Sequence, residues 1–400
     1  MTTTANPASA PVSGPVAAPT GSSLRRLVSL DALRGLTIAF MIMVNNNGSD
    51  RAWWFMKHAE WNGLTPTDLV FPTFLFVVGV SIVFAFEARI AKGETRAHLA
   101  WQTLRRAAIL FALGLVVNGF PHFPLGTLRI YGVLQRIAVC YLVVGLFYLW
   151  DRGVPSKVAV LIASLIGYWI LVRWVPIPGA GMPVRNIPFL DPDQNLVAWL
   201  DRHLMPGHLY EDWVTHNLRD PEGLLSDLPA IGTALLGMLT ALWLRTRRTV
   251  NAKALGLVAG CVACLALGYF WAIWFPLCKK MWTSSYVLVA AGYSLALLSF
   301  AYWAIEAKGW RKGWTRPWII FGSNAIVAYM FSELMASLIG VIAVAASPQN
   351  HESLGGFLAA HSVQHIPDPG WSTFAWSVSF TAVCFLPVWV LYRNKIFVKV

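Results

Sequence analysis

The stretch "KHAEWNGLTPTDLVFP", Lys57 to Pro72, sets His58 and the carboxylates of Glu60 and Asp68 at the margin of a long apolar run. Such a cluster can anchor a helix end, line a transport path, or perform chemistry where a membrane meets water. Near neutral pH a histidine can accept a proton from an attacking amine or hydroxyl, or briefly carry an acyl group. A neighbouring amide can orient the ring or donate to a developing oxyanion. Asn45, Asn46 and Asn47 close the string "SLDALRGLTIAFMIMVNNNG" and bring amides to the same edge, where they equally suit capping a helix end.

Other polar residues interrupt apolar runs. Asp31 and Arg34 lie three apart on one helix face, Gln135 and Arg136 open the apolar part of "RIYGVLQRIAVCY", and Asn324 and Glu333 lie within "RPWIIFGSNAIVAYMFSELM". Charge inside a span is costly unless it faces a cavity or a partner, and amides there commonly bond between helices. Several such groups on separate helices predict a polar interior. That interior suits catalysis and transport alike.

The elements that must hold these residues follow from composition. Of 400 residues 56% are hydrophobic and 12% charged, with mean hydropathy +0.56, which excludes an ordinary soluble enzyme and indicates an all-α, polytopic membrane bundle. A span uses about 20 apolar residues. Ten windows qualify, at about 29–48, 67–88, 104–121, 130–150, 157–175, 224–244, 253–276, 283–305, 317–346 and 373–392. The ninth is long enough to be broken or steeply tilted.

The net charge of +12 has a topological explanation rather than nucleic acid as its partner. Of 31 Lys and Arg, twenty fall in segments on the side of the N-terminus and nine on the opposite side, which predicts both termini in the cytoplasm. The outer loops are then about 49–66, 176–223 and 347–372, long enough to build a vestibule. Residues 1–23 are rich in Ala, Pro, Ser and Thr without Lys or Arg, and are expected to form a disordered tail, leaving the first span as insertion signal. The CxxC of Cys261 and Cys264 lies in an apolar helix and is expected to pack; no disulfide framework or metal is implied. No convincing repeat relates the halves, which weakens an inverted-repeat transporter.

The run "LDALRG", the "VNN" at Val44 to Asn46, "HAEWNGLTPTDLVFP", "GVLQRIAVCY", "DPEGLLSDLPAI" and "KKMWTSSY" keep their order from about residue 29 to the C-terminus. In them the chain resembles the transmembrane acyltransferase family of heparan-alpha-glucosaminide N-acetyltransferase and its bacterial relatives. The resemblance implies one acyltransferase domain over 24–400, with only the short tail where the lysosomal member has a luminal segment. It also implies acetyl transfer from cytosolic acetyl-CoA to the amine of a glucosamine-type sugar or glycan across a bacterial inner (plasma) membrane.

The family histidine falls on His58 and its asparagine best on Asn45, with Asn46 and Asn47 as further candidates. Asp31, Arg34, Asp68, Gln135, Arg136, Asn324 and Glu333 would line or brace the path. Inner clusters at Arg105, Arg106, Arg245, Arg247, Arg248 and Lys312 suit the coenzyme's phosphates and are equally explained by orientation. Trp53, Trp54 and Trp61 offer faces for sugar rings or an interfacial belt; Asp220 and Glu222 can pair with a sugar amine or cap a helix. Membrane lipid and a homodimer are the further expected partners. The other reading is a transporter of a sugar or organic anion that uses the same interior.

Overall fold

A chain crossing hydrocarbon has no water to bond its backbone, so it satisfies each N–H and C=O internally by coiling into helices. The computed structural model describes residues 27–49, 51–151, 153–210, 218–311, 313–347, 350–363 and 365–398. The tail expected over 1–23 lies outside the described residues, as do Arg25, Arg26, Arg152, Lys312 and Lys399.

Among the described residues nine helical segments are long and apolar enough to span a membrane, and a bent pair completes a tenth if counted as one span. They run through α1 (Val28–Asn45), α2 (Val70–Ile90), α3 (Arg96–Gly119), α4 (Val133–Trp150), α5 (Val154–Trp174), α7 (Asp227–Leu244), α8 (Val250–Ala272), α9 (Ser284–Tyr302) and α13 (Pro369–Arg393). A short α6 (Leu196–Leu204) lies in the loop between α5 and α7. The protein is an all-α, multi-pass membrane protein, as composition indicates.

The bundle has an inside and a rim. Windows in α1, α2, α4, α7 and α9 are 56–72% buried, whereas those in α3, α5, α8 and α13 are only 17–22% buried, so the latter present apolar surface to lipid. Small residues let the inner helices approach: a Cβ on Gly79 would lie 1.9 Å from the Ala234 carbonyl oxygen, and one on Gly237 2.0 Å from that of Phe76. The backbones of α2 and α7 therefore touch. Where α1 crosses the segment carrying Trp318, a Cβ on Gly35 would overlap the Trp318 carbonyl oxygen.

The long ninth window is broken, as its length allows. Short α10 (Arg316–Ser323) and α11 (Ala325–Val341) meet at Asn324 with a bend of 74°. The window's expected end at 346 overshoots. The helix stops at Val341, where Ile342 turns extended, and the segment beyond it pairs as β1 (Ala343–Ser347) with antiparallel β2 (Asn350–Ser353). The outer segment 347–372 then holds α12 (Leu354–Ser362). Cys261 and Cys264 are free thiols on α8.

Candidate active site

Local chemistry builds the centre of the site. Pro66 opens a 3-10 turn, Pro66–Leu69, that leads into α2, its ring presetting the first helical φ. Thr65 and Asp68 form a capping box at its start. One Asp68 oxygen, Oδ2, accepts from the backbone N–H of Thr65 at 3.1 Å and of Ala59 at 3.0 Å. The Thr65 hydroxyl donates to the Lys57 carbonyl at 2.6 Å, and the Tyr286 hydroxyl donates to the Asp68 carbonyl at 2.6 Å. These bonds leave the carboxylate one direction for its other oxygen. Asp68 Oδ1 faces His58 Nδ1 at 2.7 Å.

A carboxylate accepts, so Nδ1 carries the proton and Nε2 keeps its lone pair. Asp68 is 1% exposed while the His58 side chain is 43% exposed, giving a fixed partner beneath and an open ring edge above. A second group closes on the ring from the turn between α8 and α9. Lys279 Nζ lies 3.0 Å from Nδ1, 3.4 Å from Nε2 and 3.8 Å from Asp68 Oδ1. Lys280 donates to the Glu60 carbonyl at 2.8 Å and Gly63 N–H to that of Leu277 at 2.8 Å, so the two loops are stapled around the histidine.

The electrostatics follow. Burial, then the Lys279 charge, lowers the His58 pKa below its ordinary value, with Asp68 opposing. The ring is thereby kept neutral. Burial lowers the ammonium pKa of Lys279 too, against the pull of Asp68 and Glu222. In the sequence Lys279 counts only among the nine outer basic residues and within "KKMWTSSY", which gives it no place in the site. A lysine pair interrupting an apolar outer turn was the available signal.

Beside this centre lies a buried charge network. Arg129 donates to Asp220 through Nε at 2.8 Å and Nη2 at 2.5 Å, and to Glu222 at 2.6 Å. Burial acts to raise the Glu222 pKa, but Arg129, Arg136 and Lys279 outweigh it and hold it below its usual value. Arg136 bonds Asp227 at 3.2 Å and the Gly223 carbonyl at 3.1 Å, its guanidinium 4.9 Å from the Trp282 ring centre; Tyr131 also donates to Asp227. Asp220 and Glu222, expected to pair with a sugar amine or to cap a helix, are both buried and both paired with Arg129.

The remaining expected residues divide. Asn45 is exposed and its amide lies 3.5 Å from Glu333 Oε1, joining α1 to α11. Among the described residues the polar partners of His58 are Asp68 and Lys279, so Asn45 does not orient the ring by direct bonding. Asn46 bonds back to the Ile42 carbonyl, and Asn47 donates to that of Met56, two residues before the histidine. Asp31 and Arg34 pair at 2.9 Å, and Arg34 also reaches the Gly322 carbonyl at 2.8 Å. Gln135 is buried, its amide 3.5 Å from the Phe111 carbonyl. Asn324, expected to bond between helices, sits at the α10–α11 break. There it donates to the Ile396 carbonyl at 3.1 Å and accepts from Val398 N–H at 2.8 Å.

Of the three tryptophans, Trp54 is 69% exposed. Trp53 packs edge-on against Trp371 at 4.7 Å between centroids, and Trp61 donates to the Leu190 carbonyl at 2.7 Å, tying the first outer loop to the second. At the opposite end Arg105, Arg247 and Arg248 are exposed and Arg106 half-buried, whereas Arg245 is held by Glu87 at 2.7 Å. Lys312 lies outside the described residues. No group of metal-binding side chains occurs among the described residues.

An Asp-held, neutral imidazole beside a cation can take a proton from a nucleophile or accept an acyl group, with the cation facing negative charge that develops nearby. Comparison with known proteins bears on which. A family model described as "Heparan-alpha-glucosaminide N-acetyltransferase, catalytic" matches residues 26–184. The chain is 27% identical over 433 residues to the heparan-alpha-glucosaminide N-acetyltransferase of Mus musculus, covering 95% of this chain and 61% of that protein. It is 28% identical over 428 residues to the Homo sapiens protein, covering 94% and 60%. The chain thus spans about six-tenths of the length of these curated relatives.

Proposed function

From the premise that this chain is a relative of the heparan-alpha-glucosaminide N-acetyltransferases, we propose that it is a membrane N-acetyltransferase that uses His58 as base or acyl carrier. The donor is acetyl-CoA reaching in from the cytoplasm, and the acceptor is the amine of an extracytoplasmic, glucosamine-type sugar at a bacterial inner membrane. The observation that carries this reading is the His58–Asp68 bond of 2.7 Å with Lys279 against the same ring.

Asp68 keeps the proton on Nδ1 and presents Nε2 as the basic atom. In direct transfer the acceptor nitrogen bonds the acetyl carbon, Nε2 takes the amine's proton, and the carbon–sulfur bond breaks with its electron pair on sulfur. The imidazolium then returns that proton to the thiolate. In relay, Nε2 bonds the acetyl carbon as the carbon–sulfur bond breaks and the thiolate leaves; the amine then attacks that carbon, the Nε2–acetyl bond breaks with its pair returning to Nε2, and the amine's proton passes through Nε2 to the thiolate. Lys279 serves both routes: it disfavours a resting imidazolium and faces charge growing on the carbonyl oxygen. Trp54 and Trp61, close to His58 in sequence, offer faces for the sugar, and exposed Arg105, Arg247 and Arg248 offer cations to the donor's phosphates.

The test is acetyl transfer from labelled acetyl-CoA to glucosamine by purified protein, comparing wild type with His58→Ala. Transfer that vanishes in the variant while coenzyme A still binds supports the reading. Failure of both proteins to bind coenzyme A removes it and favours transport through the same polar interior; binding without transfer by the wild type points to a different acceptor.

A further inference from the structure

The bundle end opposite His58 contains a cavity of about 580 Å³ between the start of α10 and the end of α13. Its walls include three cations, Arg316, Arg393 and Lys395, and three aromatics, Trp389, Tyr392 and Phe397. Among the described residues no carboxylate contributes to the lining and none of the three cations forms an ion pair. Other basic residues at this end do: Arg89 pairs with Glu94, Arg245 with Glu87 and Arg311 with Glu306. Three like charges around one cavity repel unless an anion enters it.

The cavity wall is built, not a frayed end. Helix α13 closes with the Ile396 N–H bonded to the Leu391 carbonyl at 2.9 Å and the Lys395 N–H to that of Tyr392 at 3.0 Å, a Schellman cap. The left-handed residue of that cap is Lys395, at φ 58, where glycine is the unstrained choice. The two Asn324 bonds then pin Ile396 and Val398 to the α10–α11 break. A cation thus occupies a position that backbone energetics would give to glycine. Arg393 meanwhile lies with its guanidinium 5.6 Å from the Trp389 ring centre.

We propose that this cavity binds the phosphate-bearing head of an amphiphilic ligand at the inner membrane boundary, through Arg316, Arg393 and Lys395. Guanidinium and ammonium groups supply charge-assisted bonds to phosphate oxygens, and the aromatics receive the flat or apolar part of the ligand. Two sources carry that chemistry. An anionic phospholipid of the inner leaflet would enter from the side, as basic pockets between spanning helices permit. The phosphates of coenzyme A would enter from the water, an assignment that rests on the acyl-donor reading above.

The full-length protein is purified in detergent, its retained phospholipid measured by native mass spectrometry, and coenzyme A titrated against it by calorimetry. Wild type is compared with Lys395→Gly, which suits the left-handed backbone, and with Arg316→Gln/Arg393→Gln, while melting temperature monitors folding. Each variant is expected to weaken one ligand by about tenfold or more, the scale of a lost charge-assisted bond. Loss confined to phospholipid identifies the bilayer source; loss confined to coenzyme A identifies the donor. The proposal is overturned if wild type holds neither ligand, or if folded variants hold both as tightly as wild type. Acetyl transfer by the wild type, measured alongside, shows separately whether the acyl-donor reading has failed.

Discussion

The two ends of the bundle use the same cations in opposite ways. At the outer end half-buried Arg129 and buried Arg136 pair with the buried acids Asp220, Glu222 and Asp227, and Lys279 lies against Asp68 and His58. At the inner end Arg316, Arg393 and Lys395 gather around a cavity with no acid in its wall among the described residues. Charge withdrawn from water must be compensated within the protein, and the outer network does so. Such a network holds groups in fixed geometry and shifts their protonation. Charge left at a solvated face stays available to an incoming anion and orients the chain in the membrane.

The two ends should differ most at His58. If the outer end does the chemistry, His58→Gln lowers acetyl transfer by roughly 10²–10⁴-fold with coenzyme A binding retained, measured with labelled donor. Removing compensation comes next. Arg129→Ala strands Asp220 and Glu222 and is expected to destabilise the protein by about 3–5 kcal/mol in thermal melts, the range for an uncompensated buried charge. Lys279→Met is expected to slow transfer by about 10–100-fold if the cation faces developing oxyanion charge.

The same variant gives a pH test. His58 must be neutral to act as base, so activity falls as pH drops through its pKa. That pKa is lowered, placing the acid limb of the wild-type kcat/KM profile below the ordinary histidine value. Losing the Lys279 charge raises the pKa, so the limb moves to higher pH. An unmoved limb would remove Lys279 from the electrostatics of the site.

A smaller effect concerns Asp201, in the outer loop on α6. Its Oδ1 accepts from Leu224 N–H at 3.0 Å while burial pushes its pKa up to about 7 from 3.8. A folded-state pKa above the unfolded value means protonation favours the fold. That contribution is present below the unfolded pKa and is lost as pH rises towards about 7. Asp201→Asn should therefore raise the melting temperature more at pH 8 than at pH 5, by an amount on the order of 1 kcal/mol in stability. Smallest of all, Arg247→Ala/Arg248→Ala on the exposed inner face is expected to change stability by less than about 0.5 kcal/mol. A large loss there would erase the contrast between the two ends.

Much of the site was legible where one local rule decides it. Thr65, Pro66 and Asp68 start the helix by local capping alone, and His58 stands ten residues before Asp68 in the same short motif. The Asp31–Arg34 pair follows from helical spacing alone. Partners contributed by distant segments were not legible. Arg129 and Asp220 are 91 residues apart, and Lys279 and His58 are 221 apart. Both pairings depend on how whole helices pack, as does the exclusion of Asp220 and Glu222 from free solvent.

By itself the sequence determined the spanning helices and their charge bias, because hydrocarbon imposes length and hydropathy on each segment independently of the others. It also determined that a histidine and a carboxylate stand together at one helix entry. Tertiary structure alone decided which cation meets that histidine, which carboxylates are already paired, and where the long ninth window bends. Those outcomes are contacts between segments remote in the chain. Their energies depend on distance and burial, which only the packed bundle sets.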